Sequence, residues 1–545
     1  MPSIFDVGSS ALNSLQRAIS TTGNNIANVN TDGYSRQLVE FSTRNPEYNG
    51  GFYLGSGVEV SSIHRAYDQF LTQDVRARTS TTGYYQLYAN TASLVDDLMA
   101  DPATSISAAM DEFFASMEAV ANSPTTQPER QVMLSQAQTL AGRFNYVDAR
   151  LSELAEDLNQ RIEVFAVDIN RHTSDIAQLN EQIRRTEMSA GGPANDLLDH
   201  RDRVIEELSA LMRLDVQSQE DGTVNVFTAS GHRLVSGGEA EVLRISSAPQ
   251  PDGPVSVYLS GPGGFETELT EFALGGELGA SMDVATNVID RARREIGLLA
   301  LGLTETFNTQ HSSGSTLEQE AGGDFFSAIE PTVTTNILNS GTTTASAVID
   351  DVTALTGASY EVEYTSTGIV VTNLSTNQSQ EVVGDNISIE GVTITVSAFD
   401  AAAEGDRFLI EPTARAASAI AIELTDTSGI AAASVGAGVG DNSNMMALIA
   451  LRDANNLKSG QQSIYDIYNN SVSNVAVETR SSKANAETEA SLLQSVTDRR
   501  QGIVGVNLEE EAANLIKYQQ AYQAAAQVIA VANDAFDTLM RAASR

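Results

Sequence analysis

Apolar residues in the first thirty positions recur at intervals of three and four: Phe5, Gly8, Leu12, Leu15, Ile19, Thr22, Ile26 and Val29. That period predicts a helix with a two-in-seven stripe, the seam of a coiled coil rather than the broader face of a surface helix. Gly8 and Thr22 are its weak points. The other end of the chain carries a matching seam. From Leu508 onward, Leu515, Tyr518, Tyr522, Ala525, Ile529, Ala532, Phe536 and Leu539 alternate at four and three. Glu511 breaks that series near its start, and neither proline nor glycine interrupts the helix. A narrow seam on an isolated helix is marginal in water and needs a partner. Periodicity leaves two readings open: the terminal helices pair within one molecule, or they pair and then pack against other subunits.

The stretch "NNIANVNTDGYSRQ" (24–37) bears on that choice. Asn24, Asn25, Asn28 and Asn30 crowd the end of the first helix, although asparagine is a mediocre helix former. An amide face suits a subunit contact better than a buried core, because each side chain offers donors and acceptors. The expectation is an assembly face that includes Asn28, followed by a turn at Asp32-Gly33.

Between the ends the pattern changes twice. Residues 84–212 read as long helices, with Val147, Leu151, Leu154, Leu158, Ile162, Phe165, Ile169, Ile176, Leu179 and Ile183 on one stripe. His172 sits in that stripe among aliphatic neighbours and reads as a packed or partly exposed histidine rather than a metal ligand. "SAGGPANDLLDHRD" breaks the helix and starts another, with Asn195 or Asp196 as its N-cap. Alternation around Asp221-Gly222 predicts a β-hairpin. Strand-like pieces continue to about Leu274, and 281–311 returns to helix.

From 331 to 412 the composition shifts to Thr, Ser, Val and Ile, and "SYEVEYTSTGIVVTNLS" and "ISIEGVTITVSAF" read as short strands. Residues 444–495 are again helical. The predicted class is mainly α with an inserted β-rich domain (α+β). Residues 1–35 with 505–545 form a terminal coiled-coil unit, 36–330 with 413–504 a long-helix domain with β-hairpin elements, and 331–412 a β-rich domain at the tip.

Composition narrows the function. At 545 residues the chain implies about three to four domains. Its net charge of -39, from 71 acidic and 32 basic residues, disfavours nucleic acid and anionic lipid, which bind through clustered Lys and Arg. The absence of cysteine excludes disulfides, thiolate metal sites and cysteine nucleophiles. The start, "MPSIFDVGSS", lacks the basic and apolar regions of a cleavable signal, and no apolar run spans a bilayer. The expectation is a soluble chain without membrane insertion. The five histidines, His64, His172, His200, His232 and His311, show no zinc spacing. There is no Gly-x-Ser-x-Gly elbow and no P-loop. "GAGVG" (436–440) lacks the dinucleotide fingerprint and reads as a linker. Carboxylate pairs such as Asp96-Asp97 do not rise above the acidic background.

Two stretches carry a resemblance. "ALNSLQRAISTTGNNIANVNTDGYSRQ" (11–37) and "GVNLEEEAANLIKYQQAYQAAAQVIAVANDAFDTLM" (505–540) resemble the terminal signatures of the axial proteins of the bacterial flagellum. Within that superfamily, Gly33-Tyr34-Ser35-Arg36-Gln37 is similar to the hook-associated, junction-forming family. So are "ANDLLDHRD" (194–202), "FNTQHSSG" (307–314), "GGDFF" (322–326), "GDRFLIEP" (405–412) and "GDNSN" (440–444). The resemblance implies a structural adaptor, with neither enzymatic activity nor cofactor, that joins hook to filament. Its implied partners are copies of itself in a ring at the hook tip, the hook protein, and a second junction protein (hook-associated protein 3). It also implies export by the flagellar type III pathway without signal cleavage, an extracellular location, and a cytoplasmic export chaperone.

The same resemblance assigns an N-terminal assembly seam to Phe5, Leu12, Leu15, Ile19, Ile26, Asn28 and Val29. It assigns an assembly and chaperone-binding seam to Leu515, Tyr518, Tyr522, Ile529, Phe536 and Leu539. Two alternatives compete with the junction role. A rod or hook subunit of the same superfamily is disfavoured by the long helices of 84–212 and by Arg36-Gln37. A surface-displayed binding module or hydrolase would need chemistry in 331–412, which contains no histidine.

Overall fold

The computed structural model describes the chain apart from residues 1–3, 50–51, 191, 247–252, 254, 262–265, 270–273, 337–338, 367, 383, 398–402 and 544–545, and apart from the side chains of 47, 49, 52, 54, 190, 539 and 543. Leu539 therefore lies on a described helix, but its side chain is outside the described residues.

The first seam becomes helix α1, Ile4–Ala27, and a β-hairpin follows it. Strand β1 (Gln37–Thr43) pairs antiparallel with β4 (Val58–Arg65), and a small ribbon of β2 (Glu47–Asn49) and β3 (Phe52–Leu54) lies between them. The last seam is helix α10, Leu508–Ala543. Helices α1 and α10 pack antiparallel, with Gly8 against Ile529 near one end and Asn25 against Glu511 near the other. The hairpin lies along α1 as well: Ser14 Oγ donates to Val58 O at 3.2 Å, and Val58 N donates to Ser10 Oγ at 3.3 Å.

This third element changes which residues are buried. Covered by α10 and by the hairpin, α1 buries Gly8, Ser14, Ala18, Thr21, Thr22 and Asn25. Phe5, Leu12, Leu15, Ile19, Ile26, Asn28 and Val29 are only half-buried. Gly8 and Thr22, read from the sequence as weak points, are thus points of close approach. A Cβ on Gly8 would stand 2.6 Å from Ile529 Cγ1.

The body repeats the antiparallel theme. Helix α2 (Gln69–Ala100) is capped by Asp68, whose side chain accepts from Leu71 N. It runs against α9 (Ile464–Val504), which opens with a Ser463/Asp466 capping box. Arg78 meets Glu489, Tyr88 meets Glu478, and Tyr468 donates to Met99 O. Helices α3 (Ile106–Asn122) and α4 (Gln127–Ala190) follow. The 64 residues of α4 give a rod of about 96 Å at 1.5 Å per residue. Helix α5, Asn195–Leu211, starts at the expected place with a different cap: Ala194 stands there and makes no side-chain bond. Asn195 instead spends its amide on Ile63 O, 2.8 Å away.

The helical pattern of 281–311 forms α6 (Gly276–Val284), a π-helical turn (Ala285–Asp290) and α7 (Arg291–Ser312). A short helix α8 (Ser443–Ala450) precedes α9. One hydrophobic core joins these helices around Phe113, Phe114, Phe307, Phe325 and Phe326. A second core gathers the distal part of α4, helix α5 and two small sheets. One sheet holds β5 (Leu214–Ser218), β6 (Val224–Thr228), β7 (Arg233–Ser236) and β8 (Glu239–Ala240); the other holds β9 (Val242–Ser246), β10 (Ser256–Ser260) and β11 (Glu266–Leu269). Strands β5 and β6 are the hairpin expected at Asp221-Gly222. His172 is buried in this region as expected.

A short bridge pairs β12 (Gly314–Ser315) with a strand at 433–434. The insert then begins with β13 (Thr332–Thr335), β14 (Thr344–Ile349), β15 (Tyr360–Thr365), β16 (Gly368–Asn373), β17 (Gln378–Val382), β18 (Asn386–Ile389), β19 (Val392–Ser397) and β20 (Arg407–Glu411). They form sheets of order β13-β20-β15-β16-β17 and β14-β19-β18. Entry strand β13 pairs antiparallel with exit strand β20, so the insert leaves and rejoins the helical body at one place. The predicted fold class, mainly α with an inserted β-rich domain, is the one observed.

Candidate functional site

The two antiparallel helix pairs, α1/α10 and α2/α9, meet at a polar joint, and the Asn-rich stretch lies inside it. Asn25 is 1% exposed and uses its whole amide. Its Nδ2 donates to Gln37 O at 2.9 Å and to Glu511 Oε2 at 3.1 Å. Its Oδ1 accepts from Gln37 N at 2.9 Å and from the Tyr34 hydroxyl at 2.8 Å. Glu511, which interrupts the C-terminal seam, is itself 2% exposed. The acid at an apolar position is therefore the partner of the asparagine at the other end of the chain.

This corrects the expectation for part of the amide face. Asn25 is an internal lock, stable because every donor and acceptor is matched where desolvation would otherwise be costly. Asn24 and Asn28 stay nearer the surface. Asn28 Nδ2 donates to Asn24 Oδ1 at 3.0 Å, and Thr31 Oγ1 donates to Asn28 Oδ1 at 3.2 Å. The turn after them is as expected, with Gly33 at a φ of 77°, a conformation that favours glycine.

Each residue after the turn ties it to another part of the joint. Tyr34 is bonded to Asn25, and burial first, then Asp196, Asp199 and Glu511, push its phenol up to about 12, so it stays a donor. Ser35 N donates to Asp199 Oδ2 at 3.0 Å. Arg36 pairs with Glu510 at 2.6 Å, and its backbone N donates to Val504 O at 2.9 Å. Gln37 Nε2 donates to Asp196 Oδ1 at 3.1 Å.

"ANDLLDHRD" supplies the acidic side of the joint. Arg65, on β4, bonds Asp199 at 2.8 Å and Asp202 at 2.5 Å, and Arg76 on α2 bonds Asp202 at 2.7 Å. Burial alone would lower the Arg65 pKa, yet Asp202 and Asp199 hold it above its ordinary value. Arg500 on α9 meets Glu206 at 2.7 Å. Asn507 Oδ1 accepts from Glu509 N at 3.0 Å, capping α10, and Glu509, Glu510 and Glu511 occupy its first turn, where negative charge suits the helix dipole. Stretches 24–37, 194–202 and 505–512 therefore form one lock between the terminal helices and the body.

Beyond the lock, α10 is covered on one side only. Ile529 and Ala532 face α1, and Tyr518 lies 6.1 Å from the Phe41 ring. At 100° per residue, Ile516 and Val531 project from the opposite side, 56% and 67% exposed. Phe536, near the end of α10, is 54% exposed. Of the C-terminal seam residues, Leu515, Tyr518 and Ile529 are half-buried, while Tyr522 and Phe536 are exposed.

Three other stretches noted in the sequence meet inside the body. His311 is buried, with Nδ1 2.7 Å from Gly323 O and Nε2 accepting from Ala431 N at 2.9 Å. Those partners fix a neutral ring with its proton on Nδ1. Burial also lowers the His311 pKa. Asn308 Oδ1 accepts from Phe325 N and Phe326 N, and Asn444 Nδ2 donates to Ala431 O. "FNTQHSSG", "GGDFF" and "GDNSN" are thus a packing constellation. Among the described residues no group of His, Cys, Asp and Glu is placed to hold a metal, and no helix is long and apolar enough to cross a membrane.

Comparison with known proteins follows the same map. Residues 5–34 match the flagella basal body rod protein model and 501–542 the C-terminal model of the basal body rod FlgEFG proteins. Residues 92–326 match the helical domain of flagellar hook-associated protein FlgK, and 334–412 the D2-like domain of flagellar hook-associated protein 1. These matches define the class, a structural axial protein of the bacterial flagellum. The chain is 32% identical to flagellar hook-associated protein 1 of Escherichia coli and 33% identical to that of Salmonella typhimurium, covering 99% of this chain and 100% of each relative. The Bacillus subtilis protein of that name is 23% identical over 97% of this chain and 96% of its own. The fold is similar to that of the flagellar hook junction protein FlgK from Burkholderia pseudomallei, with a TM-score of 0.72 at 21% identity, over 79% of this chain and 99% of that one. The chain belongs to the flagellar hook-associated protein 1 family.

Proposed function

We propose that this chain is the adaptor that joins the flagellar hook to the filament, with no catalytic step. It assembles as a ring of copies at the hook tip, in contact with the hook protein on one side and a second junction protein, hook-associated protein 3, on the other. The observation that carries the reading is the one-sided covering of α10. Ile516 and Val531 are exposed on the face of a terminal helix turned away from α1, Phe536 and Met540 are exposed on its seam side near the end, and an exposed apolar stripe on a charged molecule marks an interaction surface. Phe5, Leu12, Leu15, Ile19 and Ile26 of α1, each half-buried, complete their contacts against neighbouring copies. Export proceeds without signal cleavage, and before assembly the same stripe lies in the groove of an export chaperone. Residues 36–65 move with the terminal unit, since the hairpin rests on α1, and 331–412 form a separable tip.

Electron micrographs of cells lacking this chain test the role. Hooks without filaments, with filament subunits lost to the medium, are the expected result. Filaments still attached to those hooks would refute it. Truncation after Val506 removes α10 and is expected to abolish the chaperone complex; unchanged binding would place that contact elsewhere.

A further inference from the structure

A cleft of about 410 Å³ opens between α2, the π-helical turn and α9, away from the terminal helices. One wall is a tyrosine cluster. Tyr84 stacks on Tyr88 with centroids 6.0 Å apart and meets Tyr85 edge-on at 5.2 Å. Their hydroxyls are already committed as donors: Tyr84 bonds Asp283, and Tyr88 bonds Glu478 Oε1 at 3.1 Å. Burial first, and then these carboxylates, raise both phenol pKa values, so the donors persist. What remains open to a ligand is ring surface and carboxylate oxygen.

Charge selects the ligand class. Asp283, Glu295 and Glu478 line the cleft against one cation, Arg291, which sits 3.6 Å from Glu295. A cation gains from both tyrosine faces and uncompensated carboxylates, whereas an anion meets neither. Two further observations separate this cleft from a solvated groove. Ser471, a hydroxyl side chain at 2% exposure, lines it. The Ala285–Asp290 π turn forms part of the wall, and such single turns recur at functional sites. The volume suits a small molecule.

We infer that this cleft binds a small organic cation, an amine or guanidine, held between the tyrosine rings and the carboxylates of Asp283 and Glu478, with Ser471 as a further polar contact. The site is independent of the junction role.

The test uses the full chain at dilute concentration with agmatine and tetramethylammonium as probes. The chain has 15 tyrosines and no tryptophan, so tyrosine fluorescence reads the cleft, and calorimetry gives the stoichiometry. Saturable binding at one cation per chain is expected. Glu478→Gln should weaken it at least tenfold and Tyr85→Ala by several-fold, each with an unchanged melting temperature. Glu509→Gln removes the same charge from the exposed start of α10 and should change nothing. Sodium chloride at matched ionic strength should not reproduce the signal. Equal effects of Glu478→Gln and Glu509→Gln, or the same signal from sodium chloride, would reduce the effect to charge screening and overturn the proposal.

Discussion

Asn25 and Glu511 are 486 positions apart in sequence and 3.1 Å apart in the fold. A buried carboxylate facing a buried amide holds only while the amide presents its donor. Asn25→Asp reverses that and sets two acceptors against each other, so it should loosen the terminal pair by about 3 kcal/mol. Adding Glu511→Gln restores one donor and should recover much of the loss. The measurement is hydrogen exchange along α1 and α10 in a double-mutant cycle. Strictly additive effects would show that the two side chains are not coupled.

Two titrating groups add pH dependence at the same scale. Tyr34 is raised from 10.0 to about 12. Its contribution is complete below pH 10 and lost as pH rises toward about 12. Exchange protection of residues 24–37 should fall in that window, and Tyr34→Phe should remove the step. His311 works in the opposite direction. Its pKa is lowered from 6.5, so its contribution is present above 6.5 and lost as pH falls below. Protonated Nε2 would oppose Ala431 N, donor against donor. Thermal midpoints measured between pH 7 and pH 5 should decline in the parent chain and decline less in His311→Gln. An unchanged slope would place the acid sensitivity elsewhere.

Among the elements, close backbone approach decides where glycine is required. Helix α7 meets the exit of the β insert at Gly297, where a Cβ would lie 1.7 Å from Thr413 O. Backbone cannot yield as a flexible side chain does. Gly297→Ala should therefore lower stability by about 1–3 kcal/mol despite the better helix propensity of alanine, and a drop in thermal midpoint checks it. Gly8→Ala is the milder case: its neighbour is the Ile529 side chain, with Cγ1 at 2.6 Å, which must shift but is not backbone, so the midpoint should fall less than for Gly297→Ala. The element pattern was readable because periods of 3.5 and 2 survive in single sequences. The hairpin of 37–65 was not read, because its strands are short and half-exposed. Its effect on α1 could not be read either: the helix is covered from two sides, and the buried line shifts from large apolar residues to Ser14, Ala18, Thr21 and Thr22.

Across the whole molecule, both seams, the helical body and the insert are visible in the sequence as pattern, but the joint is not. Its residues, Asn25, Tyr34, Asp199, Arg65 and Glu511, come from four separate stretches, and apart from Glu511 none alone departs from an ordinary polar surface residue. One signal was available: Glu511 stands at an apolar phase of an otherwise regular seam. Such a residue is either a defect or half of a buried pair, and the amide-rich face of the other terminal helix was its natural complement.

The central claim is that the outer stripe of α10 serves assembly rather than folding. It is tested most directly by Val531→Asp, read out twice: as the melting of the purified chain and as filament growth in cells that depend on it. Val531 is 67% exposed, so the melt should stay within about 0.5 kcal/mol of the parent, while hooks should lack filaments. Val167→Asp, at 68% exposure on α4, is the matched control and should leave both unchanged. Normal filaments on cells carrying Val531→Asp would contradict the account, as would a melt that falls with them, because the stripe would then belong to no interface or to the monomer's own core.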